Sequence, residues 1–223
     1  MIAIPRNPSE TASITASSAQ SRSMSEPDES SHPSVPAGWD VVERELEYET
    51  GWYDGGYDLV EQPDGSEKRY YWAELPPAVV VVAKIDGTAV GSSGDDAAGD
   101  RLLFVEQYRP AIREHHLELP AGIVEDGESY TEAATRELEE ETGFVPETTA
   151  LLQEYAVATG VLNHDRAVVY ADGLVPGERE LDSNEFLEVT SMPVEKALER
   201  AREQPANDST ISALLLARAD GLL

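Results

Sequence analysis

From Trp39 onward the chain runs in short apolar stretches punctuated by Gly, Pro, Asp and Ser. "WDVVERELEY" (39–48), a segment near 52–61 and "SEKRYYWAEL" (66–75) mix apolar and charged positions as half-buried strands do. "QPDG" (62–65) separates the last two and predicts a turn, because Pro presets φ, Asp bonds its own backbone and Gly accepts positive φ. "AVVVVAKID" (78–86) and "RLLFVEQYR" (101–109) are continuous β-branched runs of the length of fully buried strands. The Gly/Asp/Ser stretch between them, 87–100, reads as a mobile loop. "ALLQEYAVA" (150–158), "DRAVVYADGL" (165–174) and "EFLEVTSM" (185–192) predict further strands. Helices are expected over about 129–142, 194–204 and 208–219, the last two parted by Pro205. Many strands with few helices give an α/β (α+β) fold class.

Residues 1–38 carry many Ser and scattered Pro, a composition that predicts a disordered tail. The expected division is a tail to residue 38, an N-terminal β-segment over 39–75, and one main domain over 76–223. There are 44 Asp and Glu against 16 Lys and Arg, and the formal net charge is −28. Only Lys68, Lys84 and Lys196 are lysines. Such charge strains the compact state by self-repulsion unless salt screens it, which points to a halophilic protein. It argues against nucleic acid as a partner, because phosphate contacts need clustered cations. With no Cys there are neither disulfides nor thiolate metal sites. The apolar runs are too short to cross a bilayer, and the first residues lack the pattern of a signal peptide. A soluble cytoplasmic protein with no membrane contact is expected.

One stretch resists a bland reading. "GIVEDGESYTEAATRELEEETGF" (122–144) places Glu137, Glu139, Glu140 and Glu141 within five positions, although like charges at i,i+3 and i,i+4 repel. Ser129 and Glu132 form a Ser-x-x-Glu capping box, and Gly143 fits the helix stop. On a helical wheel with Glu137 at zero, Glu141 falls at about 40°, Glu140 at about 300° and Glu139 at about 200°. Three carboxylates therefore share one face, while Glu139 is expected to face solvent. A hard dication with oxygen ligands, Mg²⁺ or Mn²⁺, would relieve their repulsion. Arg136, at about 260°, is placed to pin a neighbouring carboxylate with its fork.

The same stretch resembles the Nudix box, Gly-x5-Glu-x7-Arg-Glu-U-x-Glu-Glu-x-Gly-U with U apolar. Gly122, Glu128, Arg136, Glu137, Leu138, Glu140, Glu141, Gly143 and Phe144 match every specified position. The resemblance implies a Nudix α/β/α sandwich with a mixed sheet, and Mg²⁺-dependent hydrolysis of a nucleoside diphosphate linked to another group. It implies Glu137 and Glu141 as principal metal ligands, Glu140 as a further one, and the Ala121 carbonyl as an extra ligand. Glu128 and Arg136 are implied to orient them. "VEQYRP" (105–110) and "LELPAG" (117–122) resemble the ADP-ribose pyrophosphatase branch. That branch implies Arg109 at the substrate diphosphate, with a structural ion pair as the alternative, and Glu118 on the metal side.

By the same resemblance the 39–75 segment crosses to a partner in a homodimer. Arg69 would then touch phosphate, and Trp52 or Tyr53 would stack on adenine or simply fill a core. "SNEFLEV" (183–189) supplies Glu185 as general base or metal ligand, with Glu188 second. His164 and the pair His115–His116 are weaker substrate-contact candidates. One departure stands out: where the branch shows Ser-Pro-Gly, this chain has Ala158-Thr159-Gly160. The leading expectation is an ADP-sugar diphosphatase. Hydrolysis of another nucleoside diphosphate sugar or a noncanonical nucleoside triphosphate, and a non-catalytic nucleotide-sugar-binding domain, are the alternatives.

Overall fold

The computed structural model describes residues 38–87, 99–181 and 186–223. The expected tail over 1–37, most of the 87–100 loop and Glu185 lie outside the described residues. Strands β1 (Asp40–Glu49), β2 (Asp54–Glu61) and β3 (Glu67–Glu74) form an antiparallel meander, extended by parallel pairing of β3 with β10 (Leu162–Asn163). The 62–65 turn closes as its residues dictate. Gly65 takes φ 79°, its N–H reaches the Gln62 carbonyl at 2.8 Å, and Asp64 accepts from the Ser66 N–H.

The second sheet runs in the order β13 (Leu187–Pro193), β5 (Asp100–Arg109), β4 (Ala78–Asp86), β11 (Asp165–Asp172), β9 (Thr148–Ala156). β6 (Glu114–Glu118) adds to β5, and β7 (Ala121–Ile123) adds to β4. β4 and β11 run parallel while their other pairings are antiparallel, so the sheet is mixed. The short pair β8 (Phe144–Val145) and β12 (Val175–Pro176) stands beside it.

The unbroken apolar run of β4 is explained by burial on both faces. Val79, Val81, Ala83 and Ile85 pack with Ala133, Ala134 and Leu138 of α1 (Tyr130–Thr142). Val80 and Val82 pack with Ala197 and Ala201 of α2 (Val194–Ala201) and with Ala213, Leu214 and Ala217 of α3 (Asp208–Ala219). Helix, sheet and helices thus form the three layers that the resemblance implied.

The 158–164 loop fastens the two sheets together. Ala73 N–H donates to the Val161 carbonyl at 2.9 Å, and Leu75 N–H to the Asn163 carbonyl at 3.1 Å. His164 Nδ1 lies 2.8 Å from the Pro76 carbonyl, so this ring braces the junction. Ala158, in the triplet that departs from the branch, takes φ 47°, a left-handed conformation uncommon for a residue with a Cβ.

Candidate active site

α1 is set by its ends. Ser129 accepts from the Glu132 N–H while the Glu132 carboxylate accepts from the Ser129 N–H, completing the capping box. At the other end Gly143 takes φ 75° and donates to the Glu139 carbonyl. With Leu138 buried against β4, Glu137 and Glu141 fall toward β7.

β7 is shaped to receive them. Val81 N–H donates to the Pro120 carbonyl and Val124 N–H to the Pro77 carbonyl. In an antiparallel ladder hydrogen-bonded pairs alternate, so Ala121 and Ile123, opposite Val80 and Ala78, turn their polar groups away from β4. The Ala121 N–H accordingly donates to Glu141 Oε2 at 3.1 Å, and the Ile123 carbonyl accepts from Arg136 Nη2 at 2.8 Å. The Ala121 carbonyl points the same way as its N–H. Between them Gly122 has no side chain, and a Cβ there would sit 1.9 Å from the Glu137 carboxyl carbon. The box glycine is therefore an opening in the strand that the Glu137 carboxylate fills.

Arg136 clasps the cluster. Its Nε and Nη2 hold both oxygens of Glu128 at 2.9 Å, and its Nη1 reaches Glu137 at 2.8 Å and Glu140 at 3.1 Å. The fork holds the Glu128 carboxyl below the usual carboxylate range, helped by the Glu125 N–H, and the Glu128 contact raises the guanidinium pKa further. Four carboxylates and one guanidinium leave this group a formal charge of −3 (4 − 1) when all are ionised. Glu141 is only 3% exposed, which makes that charge costly.

Oxygen donors of this kind, with excess negative charge, suit a hard dication. The side chains as they lie do not yet form its cage: among the described residues no three His, Asp or Glu are grouped to hold an ion. The donor set fits. Binding would draw Glu137 and Glu140 off Arg136.

The other expected residues divide. Glu118 pairs in register with Val105, which follows Leu103 on the α1 face, so it shares that face with the cluster. It is buried, and Arg109 forks it with Nε and Nη2 while Gln107 donates at 3.3 Å. Arg109 thus stands in an ion pair with Glu118. Three others lie away from the cluster within the single chain. Arg69 lies on β3 with its guanidinium 4.4 Å from the Tyr57 ring centre, not beside α1. Trp52 is 63% exposed in the β1–β2 turn and contributes to no core. Glu188, second to Glu185, pairs with Glu106 on the sheet face away from α1.

Glu139 is not merely solvated either, since its Oε1 accepts from the Glu178 N–H at 3.4 Å. Of the histidines, His115 packs against Tyr108. His116 is 4% exposed on β6, with Nε2 3.4 Å from Glu114. Gln107 escaped the sequence reading, although its place two residues before Arg109 on one strand face was a usable signal.

The NUDIX domain profile matches residues 87–214, well over half of the chain. This protein belongs to the Nudix family, and is a Nudix hydrolase. It is 31% identical over 154 residues to the "Methanol dehydrogenase activator" of Bacillus methanolicus, covering 68% of this chain and 77% of that one. It is 30% identical over 152 residues to the "ADP-ribose pyrophosphatase" of Bacillus subtilis, covering 67% and 76%. The solved structure of an ADP compounds hydrolase superposes with a TM-score of 0.69 at 23% identity, over 83% of this chain and 97% of its own, a likeness of fold.

In this Nudix hydrolase a cleft of about 600 Å³ opens on the outer side of α1, lined by Thr131, Arg136, Glu139, Glu140, Glu178 and Glu180 among others. It meets the cluster at Arg136 and Glu140. Glu132, Glu139, Glu178 and Glu180 add further negative charge around it.

Proposed function

We propose that this chain hydrolyses the diphosphate of ADP-ribose or a related ADP-sugar, adding water across one P–O–P linkage to give AMP and a sugar phosphate. The carrying observation is the convergence on β7 of Glu137, against the side-chain-free Gly122, and Glu141, on the Ala121 N–H, with Arg136 holding Glu128, Glu137 and Glu140. Relatives named for ADP-ribose and ADP-sugar pyrophosphatase activity support the substrate class.

Glu137, Glu140, Glu141, the Ala121 carbonyl and Glu118 would hold Mg²⁺ or Mn²⁺. A dication bound there neutralises the diphosphate and lowers the pKa of a water molecule. Glu128 and Arg136 fix the direction of the carboxylates, and Glu185 serves as general base or as a further metal ligand. Arg109 contributes a planar cation for phosphate once its fork to Glu118 opens.

The N-terminal segment is read as a dimer contact. All ten residues of β1 are exposed, including Val41, Val42, Leu46 and Tyr48, and among the described residues β1 is an edge strand of its sheet. An exposed edge strand with apolar residues is a pairing surface. A second copy of this chain is the proposed occupant, and pairing about that edge is the route by which Arg69 and Trp52 would reach a site. Soluble, cytoplasmic operation at high salt accords with the charge. Among the described residues no helix is long and apolar enough to cross a membrane.

The test offers ADP-ribose, other nucleoside diphosphate sugars and nucleoside triphosphates with Mg²⁺ in molar KCl, with products separated by chromatography. AMP plus ribose 5-phosphate, lost in Glu141→Gln, is expected. Exclusive cleavage of a different substrate would overturn the specificity and leave the site. No turnover with any of them would favour a non-catalytic nucleotide-binding role.

A further inference from the structure

The last turn of α1 carries Glu140 and Glu141, and like every helix end it exposes carbonyls that its own backbone cannot satisfy. It also has no basic residue of its own to meet the negative end of the helix dipole. Both needs are met from elsewhere in the chain. After β8 and β12 pair, residues 177–180 run back along the helix end. Gly177 N–H donates to the Gly143 carbonyl at 2.8 Å, and Glu180 N–H to the Glu140 carbonyl at 3.2 Å. Glu178 N–H reaches Glu139 Oε1.

Arg179 completes the arrangement. Its Nε donates to the Glu141 carbonyl at 2.7 Å, and its Nη2 to the Leu187 carbonyl, the first residue of β13, at 2.9 Å. Two glycines make the approach possible. A Cβ on Gly177 would lie 2.7 Å from Glu139 Oε1 and from a Val145 methyl, and one on Gly143 would lie 3.2 Å from the Arg179 Cβ.

We infer that Arg179 is a positioning residue for the carboxylate cluster, bridging the main chain of Glu141 to the start of β13 and, with residues 177–180, holding the end of α1 in register. The inference rests on the reading of this cluster as the hydrolytic centre. Glu137 lies against Gly122 where a Cβ would stand, and Glu141 accepts from the Ala121 N–H at 3.1 Å, so both carboxylates meet β7 directly. A small rotation of the final helical turn therefore moves the Glu140 and Glu141 carboxylates relative to the Ala121 carbonyl and to Glu137. Displacements of about 1 Å in such sites cost up to about 10²-fold in rate. Lysine supplies the same charge to the helix end but has no rigid fork with which to span two carbonyls on separate elements. Arg179→Lys therefore separates bridging from the dipole contribution.

The experiment uses the full chain as wild type, Arg179→Ala and Arg179→Lys, and reads two quantities. The first is amide hydrogen exchange without metal or substrate. The Gly177 and Glu180 amides are expected to exchange at least about tenfold faster in Arg179→Ala, while amides of β4 and β11 keep their protection. The second is steady-state kinetics on an ADP-sugar with Mg²⁺. There kcat is expected to fall by about tenfold or more, with KM within about threefold, and Arg179→Lys to recover only part of the loss. Unchanged exchange, or faster exchange spread equally over the core strands, overturns the inference. A KM effect with kcat intact, or full recovery by lysine, overturns it as well. Absence of ADP-sugar turnover in the wild type refutes the proposed activity, and the exchange result then decides the bridging role of Arg179 on its own.

Discussion

Replacing Gly122 with alanine separates what the fold needs from what the chemistry needs. The alanine Cβ would lie 1.9 Å from Glu137 Cδ and 2.0 and 2.3 Å from its two oxygens. Ordinary contact begins at 3.4 Å, so the carboxyl carbon must withdraw by about 1.5 Å (3.4 − 1.9). What it meets is the far end of a flexible side chain, and no backbone atom stands within the nearest contacts. Glu137 can rotate away, so the stability cost is expected at or below the lower end of overpacking penalties, about 1 kcal/mol. The functional cost is set by position instead, and a metal-binding carboxylate displaced by more than 1 Å is expected to lower kcat by about 10²-fold. The assay pairs urea denaturation with steady-state hydrolysis of an ADP-sugar in the same buffer. A Gly122→Ala protein that keeps kcat within about threefold would refute the claim that this opening seats a working carboxylate. A loss of several kcal/mol would show instead that the opening serves the fold.

Three further outcomes follow from the same structure. Glu128 has its pKa depressed by Arg136, so its stabilisation is fully present above the unfolded value near 4.5 and is lost as pH falls through the folded value. Glu128→Gln is accordingly expected to be less stable than wild type by about 1–3 kcal/mol at pH 7, with the gap closing in urea melts taken below about pH 4.5. Ser129→Ala removes the helix cap and is expected to cost about 1 kcal/mol while kcat at saturating metal stays unchanged, as melts and kinetics on one sample would show. With a net charge of −28, raising KCl from about 0.1 M to 1 M shortens the screening length from about 10 Å to 3 Å and is expected to raise Tm, which calorimetry reads directly.

The sequence made α1 legible almost to the residue, because a capping box and a stop glycine are local chemistry that no distant contact overrides. β4 and β5 were legible as buried strands, since helices on both faces demand an unbroken apolar run. β6, β7, β8, β10 and β12 were not, being two to five residues long and too short to show a period. Residue types for the site were readable, but their present partners were not. That Arg136 would take Glu137 and Glu140 together with Glu128, or that Arg109 would close on Glu118, depends on strand register and side-chain reach. Arg179 was hidden for the same reason: its two acceptors are main-chain carbonyls, which carry no mark in the sequence.

The central claim is that the Arg136-clasped carboxylates open to take up a divalent ion. Its most direct test is a Mn²⁺ titration of the full chain, without substrate, followed by electron paramagnetic resonance. The account predicts saturable binding in the wild type that is weakened at least about tenfold by either Glu137→Gln or Glu141→Gln. Mn²⁺ binding indifferent to both substitutions, or no binding at millimolar metal, would contradict it.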